Sequence, residues 1–336
     1  MRVVVVGGTG NLGSRTVATL AHDPAIAEVV GVSRRPPPDG TLGARWVGAD
    51  VTRDDLGEIF AGVDAVVHVA WLLQPSRSPE LLEATNVGGT RRVLDAAAAS
   101  GVSTVVIASS LGVYSPAPPG TYASEDWPTE GIASSLYSRQ KVRVERMLDE
   151  FETQNPTTRV VRLRPSLAFH RAAASEVRRL FLGPLVPARL IDPRFIPIVP
   201  DIPGLAFQVV HTDDVAEAFR LAITGTASGP FNIASDVLDV AALAKLFRAH
   251  PVRIRASWLR RLAEVTWRLH LQPTDPSWVD LGLQAPLLDT GRARRELGWQ
   301  PRHSSSEVLL ELLKGMREKA GGDTAALMTA GSRAGR

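Results

Sequence analysis

The sequence has no cysteine. That excludes disulfides, thiolate catalysis and zinc–cysteine sites, and it fits a reducing compartment. It also has no long uninterrupted apolar run. The start, "MRVVVVGGTG", is too short for a signal core or a spanning helix. "LFLGPLVPARLIDPRFIPIVP" is broken by prolines and by Arg189, Asp192 and Arg194, so it is no membrane helix. Lysine and arginine form no long block. The formal net charge is only +3, and the densest groups are as short as Arg292–Arg295. A nucleic-acid partner is therefore not expected, and without a spanning apolar run neither is a membrane partner. No His/Asp/Glu grouping has metal-ligand spacing, so no metal is expected. These absences point to a soluble cytoplasmic protein.

What is present is a rhythm of valine-rich runs and helical patterns. "RVVVVG", "EVVGVS", "RWVGAD", "DAVVHVAW", "TVVIASS" and "RVVRLR" read as strands apolar on both faces, separated by helices such as "PELLEATNVGGTRRVLDAAAAS". That is the pattern of a parallel sheet covered on both sides. The expected fold is α/β, a Rossmann-type doubly wound parallel sheet with a smaller, mostly helical C-terminal substrate domain. Residues 1–165, with about 207–236, are assigned to the first domain. Residues 166–206 and 237–319 are assigned to the second, and 320–336 to a disordered tail. "FQVVHTDDVAEAFRLAI" is read as a strand followed by a helix, capped by Thr212 or Asp213.

Gly7, Gly10 and Gly13 follow the first strand and enter the first helix. A glycine turn there lets the backbone approach a pyrophosphate at a helix N-terminus. An acidic residue about twenty positions further on normally holds the ribose hydroxyls of NAD. This chain has Ser33, Arg34 and Arg35 instead. Guanidiniums suit the 2′-phosphate of NADP, so NADP is the preferred cofactor, with NAD as the second choice. Asp50, at the end of the third strand, is placed either near the adenine or in a plain strand-end turn.

Taken together, "GGTGNLG", "HVAW", "NVGGTRRVLDAA", "SSLGVY", "YSRQK", "RLRPS", "VVHTDDVAEA" and "RRELGWQPRHS" resemble the extended short-chain dehydrogenase/reductase, or NAD-dependent epimerase/dehydratase, family from Met1 to about Met316. The resemblance implies that Tyr137, in Y-x-x-x-K, is the general acid/base. Lys141, one turn on, would together with the nicotinamide charge lower the phenol's pKa, and would bind the nicotinamide ribose. Ser110 would hydrogen-bond the substrate oxygen, Ser109 is expected to be structural or cofactor-facing, and Tyr114 is expected in the pocket wall. Asn11, Leu12, Val51, Val69 and Ala70 complete the expected cofactor positions. Asn86 is kept structural, and His68 and His211 are read as core or turn residues. His170 stands where the family often has glycine, and is expected to reshape the pocket.

Within that family the substrate divides the readings. Leu111 and Gly112 follow Ser110, where sugar dehydratases carry Asp-Glu. Leu167 and Phe207 stand where nucleotide-sugar enzymes place diphosphate-binding Asn and Arg. A diphosphate against leucine and phenylalanine would leave its charges unpaired. The leading expectation is therefore an NAD(P)-dependent oxidoreductase acting on an apolar carbonyl/alcohol substrate. Trp71, Leu180, Phe181, Phe195 and Ile196 are candidate pocket residues, or else part of the second domain's own core. A nucleotide-sugar 4-epimerase with bound NAD and a non-catalytic redox sensor are the alternatives, and a homodimer is left open.

Overall fold

The computed structural model describes residues 1–74, 76–183, 191–192 and 196–329. Seven valine-rich or apolar runs form strands: β1 (Arg2–Val6), β2 (Glu28–Ser33), β3 (Arg45–Gly48), β4 (Ala65–His68), β5 (Thr104–Ala108), β6 (Arg159–Pro165) and β7 (Gly229–Ile233). All pair in parallel, in the spatial order β3-β2-β1-β4-β5-β6-β7. The order reverses between β1 and β4. In a doubly wound sheet, that switch point is where a ligand cleft opens beyond the carboxyl ends of the strands.

The helices that matter below are α1 (Asn11–Ala21), α2 (Gly89–Ala99), α3 (Leu136–Gln154), α4 (Thr212–Thr224), α5 (Ala256–Arg268), α6 (Ser277–Gln284) and α7 (Ser305–Glu318). Alternate residues of β1 enter opposite layers, as the strand period of two requires. Val3 and Val5 pack with Val17 and Leu20 of α1 and Phe219 and Ile223 of α4. Val4 and Val6 pack with Val93 and Leu94 of α2 and Val144 and Leu148 of α3. Two smaller cores lie beyond the sheet. One joins Ala173, Ala174 and Val177 to Leu312 and Met316 of α7. The other joins Val199, Val209, Leu238 and Leu243, with Phe207 against it.

Three expectations change. The strand Ala206–His211 leaves the large sheet: it pairs in parallel with Leu167–Phe169 and antiparallel with Val237–Asp239. The cap of α4 is neither Thr212 nor Asp213 but His211, whose Nδ1 accepts from Asp213 N at 3.1 Å. An imidazole lone pair supplies the acceptor that a hydroxyl or carboxylate normally gives. The tail expected to be disordered from residue 320 is packed as far as Thr329. Leu327 is buried in the core with Met316, and the Thr324 hydroxyl donates to Thr9 O at 2.7 Å. Residues 330–336 lie outside the described residues. Among the described residues no helix is long and apolar enough to cross a membrane.

Candidate functional site

The glycine turn is built at the end of β1. Gly7 has φ +91°, and its N–H donates to Val32 O at 2.9 Å. A Cβ on Gly7 would lie 2.5 Å from Ala70 N, and one on Gly13 would lie 2.1 Å from Gly7 O. These two glycines therefore let turn, strand end and helix touch backbone to backbone. Gly10 differs. The only heavy atom near its missing Cβ is Gly7 O, at 3.7 Å, and it faces an open cleft. Gly10 caps α1 without a side-chain hydrogen bond, and the first turn carries no acid. The partly positive helix N-terminus is left facing the cleft.

A cavity of about 190 Å³ runs from Gly7 and Gly10, past Val69 and Ala70, to Ser33, Arg34, Asp50 and Val51. Most of the expected cofactor positions thus border one space. The Ser33 hydroxyl is buried there without a partner. Asp50 accepts from the Thr52 N–H and hydroxyl at 3.0 and 2.8 Å. Burial raises its pKa, but these bonds and the nearby Arg34 and Arg53 charges outweigh burial and keep it low. Of the two arginines, Arg34 borders the cavity and Arg35 does not. Asn11, Leu12 and Gly13 border the adjoining cavity. The Asn11 side chain is engaged elsewhere: its amide donates to Ala168 O at 2.8 Å, and its Oδ1 accepts from Thr212 and His170. His170 accordingly lies beneath the turn, buried, with its pKa lowered to about 4, chiefly by burial. It is not on the cleft wall, which corrects the expectation that it reshapes the pocket.

The adjoining cavity, about 290 Å³, brings Ser110, Tyr137 and Lys141 together. Ser135 caps α3 by accepting from Ser138 N, so Tyr137 sits in the first turn and Lys141 one turn later. Ser138 fixes the Ser110 turn against this helix: its hydroxyl donates to Gly112 O at 2.5 Å and accepts from Ile132 N at 2.6 Å. A Cβ on Gly112 would lie 3.0 Å from the Tyr137 ring, so only glycine leaves the phenol this close to Ser110. Burial pushes Tyr137 up to about 12, against a lowering from the Ser110 hydroxyl. Burial also lowers Lys141 to about 7, partly offset by Glu145. Lys141 Nζ donates to Ala108 O at 2.7 Å. Lys141 is not among the causes that shift Tyr137 here; the expected lowering involves the nicotinamide charge as well. Burial favours the neutral form of both groups.

Trp278 and Ser166 were not among the candidate site residues named from the sequence. Trp278 of α6 lies over the Tyr137 ring, centroids 5.0 Å apart, with Trp71 edge-on at 5.8 Å and Phe181 edge-on to Trp278 at 5.1 Å. Of the expected pocket residues, Trp71, Leu180 and Phe181 line the cavity and Ile196 does not. Phe195 lies outside the described residues. Ser166 also borders the cavity, its hydroxyl buried and without a partner. Asn86 clamps the loop after β4 by bonds to Leu72 N and O, and donates to Gln140 of α3 at 2.9 Å.

Beneath Lys141, Glu145 forms a buried network. It accepts from Ser109 at 2.5 Å and pairs with Arg162 and Arg164 at 3.1 and 2.9 Å. Arg164 also donates to the Tyr114 hydroxyl, which donates to Asn232. Ser109 is thus tied into this network, and it also borders the cavity. Tyr114 is fully buried in this network rather than in the pocket wall. The four-residue spacing Tyr137–Lys141–Glu145 already put all three on one helix face, a signal that identifies Glu145.

These residues fit a dinucleotide. Gly10 is open, the helix N-terminus has no side-chain cap, and the buried hydroxyls of Ser33 and Ser166, each without a partner among the described residues, border the two adjoining cavities. Comparison with known proteins agrees with the architecture. The model of the NAD dependent epimerase/dehydratase family matches residues 3–234. The uncharacterized protein Rv2047c of Mycobacterium tuberculosis is 27% identical over 325 residues, 96% of this chain, and the chain spans only 31% of that relative's length. Among solved structures, the UDP-glucose 4-epimerase of Thermotoga maritima with UDP-glucose matches at TM-score 0.69 and 20% identity, over 95% of this chain and 99% of that one. A short-chain dehydrogenase/reductase superfamily protein of Agrobacterium tumefaciens with bound NAD matches at 0.70 and 23%, over 95% and 98%. At these identities the structural likeness is one of fold.

Proposed function

The chain belongs to the NAD-dependent epimerase/dehydratase family, and from that premise we propose that it is an NAD(P)-dependent oxidoreductase acting on an apolar carbonyl/alcohol pair. The observation that carries this reading is the lining of the cavity beside Tyr137. Leu167, Phe169, Val177, Leu180, Phe181, Trp278 and Leu281 form its outer wall. Among the described residues, Lys141 is the only lysine or arginine that borders it, and Glu176 the carboxylate. A nucleotide sugar would bring two phosphate charges to that wall, with one buried lysine to meet them. An apolar ketone, aldehyde or alcohol meets matching surface.

When bound, the dinucleotide supplies the hydride donor or acceptor. The chain's own residues handle the oxygen and its proton. With a pKa near 12, the Tyr137 phenol is protonated at neutral pH and suited to donate to a carbonyl oxygen as negative charge develops there. The Ser110 hydroxyl, beside the phenol, supplies a second donor for that oxygen. Lys141, which borders the same cavity, takes the ribose in this reading. Trp278 and Phe181 exclude water from the reacting face.

The UDP-sugar complexes among the structural neighbours favour the epimerase alternative, and the apolar wall opposes it. A panel of apolar carbonyl compounds and nucleotide sugars, followed by cofactor absorbance with NADH and NADPH, separates the two. Turnover of carbonyls alone supports the reductase. Epimerisation of a nucleotide sugar without net cofactor oxidation replaces it. Cofactor choice is proposed to favour NADPH through Arg34 at the ribose end of the cavity, by at least ~10-fold, a difference of ~1.4 kcal/mol. Ser33→Asp with Arg34→Ala should reverse the order. A wild-type preference for NADH removes the 2′-phosphate role from Arg34.

A further inference from the structure

Helix α5 buries none of its residues. Trp258, Leu262, Val265 and Leu269 are 66%, 61%, 53% and 63% exposed. Their spacings of four, three and four place them in one stripe along the helix. Leu271, just beyond the helix end, is exposed as well. Val252 and Ile198, also exposed, sit in the small two-stranded sheet, Ile198–Asp201 with His250–Arg253, whose second strand leads into α5. Single exposed leucines are ordinary, but a contiguous stripe marks an interaction face.

The charge around the stripe is one-sided. From Arg248 to Leu271 there are six arginines and one glutamate, a formal +5, while the whole chain carries +3. The rest of the molecule is therefore at −2. Arg260 pairs with Asp280, and Arg268 with Glu264. Arg248, Arg253, Arg255 and Arg261 have no ion-pair partner among the described residues. The other side of the helix is fixed to the protein. Arg77 stacks over the Trp267 ring at 4.2 Å, and Trp267 Nε1 donates to Ser76 at 3.3 Å. The helix is thus held from behind, with its apolar stripe and unpaired arginines facing outward.

We propose that α5 is a peripheral docking face for an anionic lipid bilayer. A helix with an aromatic–aliphatic stripe bordered by arginines lies in the plane of a membrane interface, its apolar side in the acyl boundary and its cations at the headgroups. A second copy of the chain is the less suitable occupant, because it would bring two +5 segments together. The docking face is joined to the cleft: Arg260 ties α5 to Asp280 of α6, the helix that carries Trp278 and Leu281 of the cavity wall. This proposal departs from the expectation, drawn from the lack of a spanning apolar run, that the protein has no membrane partner. It does not depend on which reaction the cleft performs.

The full chain is tested by co-sedimentation with vesicles of phosphatidylcholine alone and of phosphatidylcholine mixed with phosphatidylglycerol. Binding to the anionic vesicles should be at least ~10-fold stronger than to the neutral ones, and should weaken as salt screens the arginines. Trp258→Ser with Leu262→Ser should lose this binding by ~10-fold or more. Both side chains are exposed, so circular dichroism and dinucleotide binding should be unchanged. Arg255→Glu with Arg261→Glu provides an independent variant and should lose binding equally. Absence of binding to the anionic vesicles overturns the proposal, as does undiminished binding by both double variants. Self-association of the lipid-free protein that the Trp258/Leu262 variant abolishes, without vesicle binding by the wild type, assigns the face to a second copy and also overturns it.

Discussion

Lys141 Nζ lies 3.5 Å from the centroid of the Trp71 ring and 2.7 Å from Ala108 O. An aromatic face and one carbonyl replace the water around this ammonium. They do so incompletely, which is why burial brings its pKa down to about 7. At pH 8 most of the free protein therefore carries Lys141 neutral. An anionic dinucleotide in the cleft restores the charged form. Cofactor binding at pH 8 should take up a proton, and at pH 6, where the lysine is already charged, nearly none. Calorimetry in buffers of different ionisation enthalpy measures the uptake. Lys141→Met should remove it and weaken binding. An unchanged uptake in that variant means another group titrates.

Tyr137→Phe removes one oxygen and leaves the ring between Trp71 and Trp278. Turnover should fall by about 10²–10⁴-fold, the usual contribution of a general acid–base step. Cofactor affinity should stay within a factor of about two, because the phenol oxygen serves the substrate rather than the dinucleotide. Steady-state kinetics together with a binding titration check both halves. Near-normal turnover excludes Tyr137 from the chemistry.

Gly10 and Gly13 separate binding from folding. A side chain at Gly10 meets only Gly7 O, at 3.7 Å. Gly10→Val should therefore fold with a melting temperature close to wild type and lose dinucleotide affinity, since the added methyls occupy the space the phosphates need. A Cβ at Gly13 would lie 2.1 Å from Gly7 O, and Gly13→Val should fail in folding itself. Thermal melts and titrations of the two proteins test the contrast. Full affinity in folded Gly10→Val means the turn holds no phosphate.

Glu145 is 3% exposed. Burial raises its pKa, but Arg164, Ser109 and Arg162 together outweigh that and hold the carboxyl down at about 2. Because the folded value lies below the unfolded one of 4.5, its contribution to stability is fully present above about pH 4.5 and is lost as pH falls toward 2. Glu145→Gln leaves Arg164 buried without its carboxylate, while Arg162 keeps Asp149 and Glu152, and should cost ~3–5 kcal/mol near neutral pH. The variant should also lose stability less steeply between pH 4.5 and 2. Denaturant melts across that range measure both. Parallel pH curves for the two proteins would show that the carboxylate's titration is not what weakens the fold in acid.

Much was legible in the sequence because it rests on local patterning. Valine runs apolar on both faces determine buried parallel strands, and the intervening helical periods determine the crossovers. Gly7, Gly10 and Gly13 mark a turn whose backbone conformation and close approach depend on residue type and spacing alone. The four-residue step from Tyr137 to Lys141 fixes one helix face. Tertiary structure decided what depends on residues far apart in the chain. Trp278 covers Tyr137 across some 140 positions, and no period in the sequence links them. Tyr114 leaves the pocket because Arg164 and Asn232, from two other strands, meet its hydroxyl. His170 is drawn beneath the glycine turn by Asn11. The phenol and the lysine shift toward neutrality because burial, which no spacing encodes, outweighs the charges beside them. The stripe on α5 was written in the sequence as an ordinary amphipathic helix. Only the tertiary structure left its apolar side facing outward, because the fold anchors that helix by its other side.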